Sequence, residues 1–380
     1  MMKWKFPKSA QGLAIGRTRF SHCMRCQRRP FLLVAACIST MIFASPLAIS
    51  QQPPTDLKLS VVVAPLYPMG AAAKAWGDAL NESARGAFNV KFYPGATLAG
   101  RDPTQEFKSI QAGAIDIAVG SALQWSDAFA PLGVFALPWI APTDAQLTKV
   151  VADVDVRAKL TTALEAAGVV LVALAPLRHR DLATQSRAIA SPDDLKDMRI
   201  RVTGPKVVTD TYIALGAKPT GLNLEGARQA LATGQLDGQD QSAVALVAAR
   251  AWATGTRHVV QWDAFGNAMV FVVRKSLWQA WPESTQVKVR NAALKAIEAA
   301  QAAARERTAH DELARNGVSI TRMTPAGHAA FRALVEPVYA VWTPRIGVEL
   351  VEAVEILAGK SGDSSGGRHA AGSLSDRPRK

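Results

Sequence analysis

The sequence predicts an α/β protein built as two similar lobes, and two observations carry that prediction. Strand-like and helix-like segments alternate along most of the chain, the pattern of a parallel sheet joined by crossover helices. One layout then comes twice. QAGAIDIAVGS (111–121) and LATGQLDGQDQS (231–242) both run from a helix end through glycine to an aliphatic residue and an aspartate. The echo implies two lobes, each presenting a loop after an equivalent helix. At 380 residues the chain is long enough for each lobe to bury a core of its own.

The elements follow in order. A polar, proline-rich spacer over 51–56 precedes a β-rich run at 57–63. Residues 71–83 carry Ala75, Trp76, Ala79 and Leu80 at helical spacing. A second strand at 89–93 ends in the turn Pro94-Gly95. A short helix over 104–111 is stopped by Gly113, and 115–119 is a buried strand. A long amphipathic helix over 144–167 closes at Gly168 and leads into a strand at 169–174. The second round has a strand at 198–202 and helices at 207–215 and 225–232. Helical spacing over 243–253, a strand at 268–273 and a long Ala-rich helix over 284–315 come next, with Gly317 as the stop. Helices at 325–341 and 348–357 close the fold, and 360–380, rich in Ser, Gly and charge, is expected to be a disordered tail.

The formal charge of +13 resembles that of a nucleic-acid binder, so its distribution decides what it means. Residues 1–50 hold eight basic residues and no acidic one, and 360–380 hold five basic and two acidic. Taking these from 44 basic and 31 acidic leaves 31 and 29, a net of +2 over 51–359. A nearly neutral body implies no surface for nucleic acid.

The first fifty residues read as a signal peptide. A basic stretch ends at Arg28-Arg29-Pro30, and the apolar run over 31–43 fits a signal core and is too short to span a bilayer. Ala48-Ile49-Ser50 places small residues for cleavage before Gln51, which implies a periplasmic protein. Val34-Ala35-Ala36-Cys37 also resembles a lipobox, but the apolar run continues past Cys37, so a lipoprotein is the weaker reading. Cys23, Cys26 and Cys37 all fall in this leader, so the mature chain is expected to have no thiol, hence no disulfide and no cysteine metal site or nucleophile.

Catalytic patterns are sparse. The histidines after residue 50 do not pair at metal-ligand spacing, and HExxH, GxSxG and phosphate-loop patterns are missing. Asp237 and Asp240 read as capping aspartates of a turn, since their spacing does not fit a calcium loop. No metal or cofactor is expected. The arginines are more informative. Arg178 and Arg180 follow one strand, and Arg199 and Arg201 share a face of the next. An arginine in an apolar strand needs an anionic partner, either an acidic side chain or a ligand.

Five segments together resemble the DctP-type receptors of tripartite (TRAP) transporters, in family order over roughly 57–345. They are FYPGATLAG (92–100), SIQAGAIDIAVGS (109–121), VFALPWI (134–140), SPDDLKDMRIRV (191–202) and ALATGQLDGQDQ (230–241). The resemblance implies a periplasmic binding-protein fold in two lobes, with a ligand cleft between them and a long spanning helix. The first lobe would hold about 57–176 plus part of 243–300, and the second about 177–242 plus the C-terminal helices. It also implies a small organic acid as ligand and TRAP membrane subunits as partners. A receptor for sensing or for another transporter class stands as the alternative, and a secreted α/β enzyme stands behind both.

The strand arginine of the family's "KiRv" segment corresponds to Arg201, whose planar guanidinium suits a forked contact with a carboxylate. Arg180 in RHRDLAT matches a second family arginine, with Arg178 where the family has glycine. Gln241 stands where the family usually has asparagine, Asp240 where it has glutamate, and Asp197 replaces a glycine. Tyr67, Ser121, Gln124 and Trp125 are expected to line the first lobe's side, with Leu224 opposite. So apolar a lining favours a small carboxylate with an apolar or aromatic body over a sugar acid. Trp139, Trp252, Trp262 and Trp342 are expected in the core.

Overall fold

A computed structural model describes residues 54–83, 87–303 and 306–359. The expected leader and tail lie outside the described residues. Eleven strands are found among the described residues: β1 Thr55–Val61, β2 Phe88–Pro94, β3 Ile117–Ser121, β4 Val169–Leu177, β5 Asp181–Thr184, β6 Arg199–Val202, β7 Lys218–Gly221, β8 Gly238–Gln241, β9 His258–Gln261, β10 Asn267–Arg274 and β11 Ser319–Arg322. Thr55 and Asp56, expected as spacer, already pair with Phe88 and Asn89.

The strands form two sheets, in the orders β2-β1-β3-β10-β4 and β11-β9-β5-β8-β6-β7. The near-continuous apolar runs of β3, β4 and β10 belong to a sheet covered on both faces. Alternate side chains go to opposite layers. Met269, Phe271 and Val273 of β10 join the core beneath helices Pro68–Ser83 and Glu283–Ala303, while Ala268, Val270 and Val272 join the core on the other face.

Each sheet contains one strand that runs against its neighbours, and in each case it has just crossed from the other lobe. β4 leads through 178–180 into β5, which pairs antiparallel with β8 and β9. β9 leads through 262–266 into β10, which pairs antiparallel with β3 and β4. The chain crosses a third time between two helices. Glu283–Ala303 packs on Pro68–Ser83 and β4, and Glu306–Arg315 packs on Ala243–Ala248 and β11. The protein is therefore a two-lobed α/β fold.

Several expected helices are broken for local reasons. The helix expected over 144–167 becomes Asp144–Ala152 and Val154–Ala166, because Asp153 turns extended and its carboxylate accepts from Asp155 N and Val156 N, both at 3.0 Å. The one over 243–253 stops at Ala248, and Arg250 adopts φ 49 before a short 3-10 turn. The C-terminal helices divide between the lobes. Pro325–Ala333 packs on the turn Pro192–Leu195, Glu336–Ile346 on Lys206–Ala214 and Ala130–Ala136, and Val348–Leu357 on Asp144–Ala152 and Val154–Ala166.

Candidate ligand-binding site

A cavity of about 630 Å³ is lined by both lobes. Its wall takes residues just past the carboxyl ends of β1, β3, β4, β6 and β8, together with Asn267 at the start of the reversed strand β10. Ligands of open α/β sheets gather at such strand ends, because there the loops diverge and leave a crevice. Gly70 lets the first lobe's loop close up: a Cβ at that position would lie 2.1 Å from the carbonyl oxygen of Ala64.

Arg201 is the charged centre of this wall. Its side chain leaves β6 into the cavity lining while the residue is only 2% exposed. Nε donates to the carbonyl of Leu222 at 2.9 Å, and the buried Nη1 has no partner. Burial first, and then the like charge of Arg180, lowers its pKa to about 10, with Asp240 opposing; the group stays cationic at neutral pH. Arg199, two residues earlier, has a different fate. At the exposed start of the strand its Nη2 meets Asp237 Oδ1 at 2.6 Å.

Arg180 also lines the cavity, but its charge is matched. Nε donates to Asp240 Oδ1, and Nη2 reaches Thr203 Oγ1 at 3.3 Å. Asp240 is wholly buried and also accepts from the Tyr212 hydroxyl at 3.1 Å. Burial, followed by the charge of Asp240, raises the Tyr212 pKa well above its ordinary value. Asp240 is thus no turn cap but a residue of β8, neutralising one of two adjacent guanidiniums. Arg178 at the mouth is matched in turn by Asp144, and the carboxyl of Asp144 is held down at about 2, first by the His179 hydrogen bond.

Tyr67, Ser121, Gln124, Leu224 and Gln241 all line the cavity. Gln124 Oε1 is buried there without a partner. Trp125 does not reach the cavity, which corrects the sequence reading. Its indole turns into the first lobe's core, 5.5 Å from the Phe107 ring, and Nε1 donates to Glu106 Oε2 at 3.1 Å. Only glycine at position 120 admits that pose, since a Cβ there would sit 1.9 Å from the Trp125 ring. Sequence reasoning also missed Asn267. Its Oδ1 accepts from Ser121 Oγ, Leu123 N and Ala268 N at 3.0, 3.1 and 2.9 Å, which turns the amide nitrogen away from all three. A polar residue opening the apolar strand of 268–273 was the available signal. Trp139, Trp262 and Trp342 are buried, and Trp252 packs partly buried against the second lobe's core.

The profile of the DctP family, described as "bacterial extracellular solute-binding protein, family 7", matches residues 59–344. The chain belongs to that family. Among curated DctP-family relatives, the C4-dicarboxylate-binding periplasmic protein DctP of Rhodobacter capsulatus is 26% identical over 310 residues, covering 80% of this chain and 90% of its own. Among solved DctP-type structures, a TRAP periplasmic solute-binding protein of Ralstonia eutropha with bound (S)-2-acetolactate is 34% identical. It superposes with a TM-score of 0.76 over 80% of this chain and 99% of its own. A receptor of Bordetella pertussis that binds pyroglutamic acid shares the fold, with a TM-score of 0.71 at 21% identity over 80% and 99%. DctP proteins are solute-binding receptors, and this chain is one. No helix among the described residues is long and apolar enough to cross a membrane.

Proposed function

We propose that this receptor captures a small organic acid through its carboxylate and hands it to TRAP membrane subunits. Residues 1–50 serve as the signal peptide, and the mature receptor works in the periplasm without cofactor, metal or turnover of its ligand. Arg201 forks onto the carboxylate. Gln241, Tyr67, Gln124 and Leu224 complete the contacts, and the Asp240-paired Arg180 fixes the orientation of the neighbouring wall. The observation that carries this reading is a buried guanidinium in the cleft wall with Nη1 left unpartnered. Burying a charge without a counter-ion is strongly unfavourable, so such a site is complete only with an anion in it. The acetolactate of the Ralstonia eutropha receptor, itself a small carboxylate, supports an acid of that size.

Calorimetric titration of the wild type, Arg201→Ala and Arg201→Lys with a panel of small acids tests the reading. For any acid the wild type binds, Arg201→Ala should lose on the order of 2–5 kcal/mol, the usual loss when a buried charge pair is broken. Arg201→Lys should also bind poorly, because a point charge cannot reproduce two parallel hydrogen bonds. Near-normal affinity in a folded Arg201→Ala protein would assign Arg201 a structural role.

A further inference from the structure

We infer that the cleft is built for a monocarboxylate with an apolar body bearing a neutral hydrogen-bonding group, and that it rejects dicarboxylates. The inference rests on the carboxylate reading above and refines it by counting charge around the cavity.

The described lining carries five charged residues: Arg101, Asp144, Arg178, Arg180 and Arg201. Two of the arginines are spent on protein carboxylates, Arg178 on Asp144 and Arg180 on Asp240. Arg101 stands exposed at the rim, where water and salt screen an ion pair to little value. That leaves Arg201 as one buried, unmatched positive charge, enough for one carboxylate.

The remaining polar groups are neutral. Gln124 presents a buried Oε1 without a partner, and the Asn267 amide is pinned by three donors to its oxygen. A ligand hydroxyl or N–H can donate to Gln124 Oε1, and a ligand hydroxyl or carbonyl oxygen can accept from the Asn267 amide nitrogen. Around them the wall is aliphatic, with Val62, Leu123, Leu177, Val244 and Met269. A second carboxylate closed into that surface would leave water without a counter-ion, the arrangement that buried charges avoid. Gln124 itself adjoins the second lobe: a Cβ built on Gly204 would lie 3.8 Å from Gln124 Cα. Lobe closure therefore sets Gln124 against the second lobe.

The test is a calorimetric comparison of matched four- and five-carbon acids on the full mature receptor: 2-hydroxyisovalerate and 2-oxoisovalerate against malate and succinate. The monoacids should bind, and the diacids should be at least about a hundredfold weaker, equivalent to about 2.7 kcal/mol. A diacid that binds as tightly as the monoacids would overturn the inference while leaving the carboxylate anchor standing. If no acid of either class binds, the carboxylate reading itself fails, and this refinement with it. A second arm uses Gln124→Arg, which adds a cation where the wall is neutral. It should narrow the gap between diacid and monoacid at least tenfold, and an unchanged gap in the folded variant would show that charge counting does not set the selectivity.

Discussion

Glu106 illustrates how far a single residue's chemistry is set by partners distant in sequence. It is fully buried and accepts from Ser60 Oγ at 2.6 Å and from Trp125 Nε1 at 3.1 Å. Burial pushes its pKa up to about 7, against the lowering effect of those two hydrogen bonds. The folded protein therefore binds a proton that the unfolded chain releases near 4.5. Stability from this residue is at its full value below the unfolded pKa and is lost as pH rises towards 7, a change of roughly 3 kcal/mol. Glu106→Gln should remove that dependence. The stability difference between wild type and variant, measured by denaturant unfolding, should shift in the variant's favour from pH 5 to pH 8. A difference that does not change with pH would contradict the buried, protonated carboxyl. The same residue explains why Trp125 was misplaced from sequence. Gln124 and Trp125 are neighbours on a single turn, Ala122–Trp125, so they point in different directions and only one can face the cleft. Arg201 was legible because its strand and motif were. The pairing of Arg180 with Asp240 was not, since it joins residues sixty positions apart.

At the scale of elements, the strong strands and helices of the first lobe could be read from hydrophobic period alone. β5, β7, β8, β9 and β11 could not: each has only four residues, and DLAT, KPTG and GQDQ lack the apolar alternation that marks a strand. GQDQ is a strand because Arg180 and Tyr212 satisfy Asp240 inside the sheet. Asp197 shows the opposite case, where a local signal stood in the sequence. It adopts φ 60, which explains a glycine at that position in the family, and aspartate is among the residues that tolerate the left-handed region. The helix Lys206–Ala214 carries a link between the lobes. Its first N–H, on Lys206, donates to Asp127 Oδ1 at 2.9 Å, and Asp127 follows the first lobe's turn Ala122–Trp125. With hinge closure as proposed, parting the lobes would break this cap, so it would stabilise the closed form alone. Asp127→Ala should weaken ligand binding by about 0.5–2 kcal/mol, the usual value of a helix cap. The loss should lie mainly in faster release, which stopped-flow displacement reads directly. Unchanged release would remove Asp127 from the closing contact.

For the whole molecule, the two lobes exchange strands in both directions, and the chain passes between them a third time from helix Glu283–Ala303 to helix Glu306–Arg315. Two short strand crossings and a third passage between two helices permit a hinge while keeping the lobes in register. The sequence showed the two rounds but not the exchange, because a strand's direction depends on which lobe it has just left and not on its composition. Arg201 of one lobe and Tyr67 and Gln124 of the other line one cavity, so a ligand bound as proposed would bridge the lobes and hold them together. Only a ligand that binds the closed form more tightly than the open one can shift the population. Small-angle X-ray scattering of the mature receptor, with a bound acid and with the amide of that acid, tests this most directly. Closure on a carboxylate predicts a smaller radius of gyration at saturating acid and no change with the amide. A radius that stays constant at saturating acid, or that falls equally with acid and amide, would contradict closure on a carboxylate.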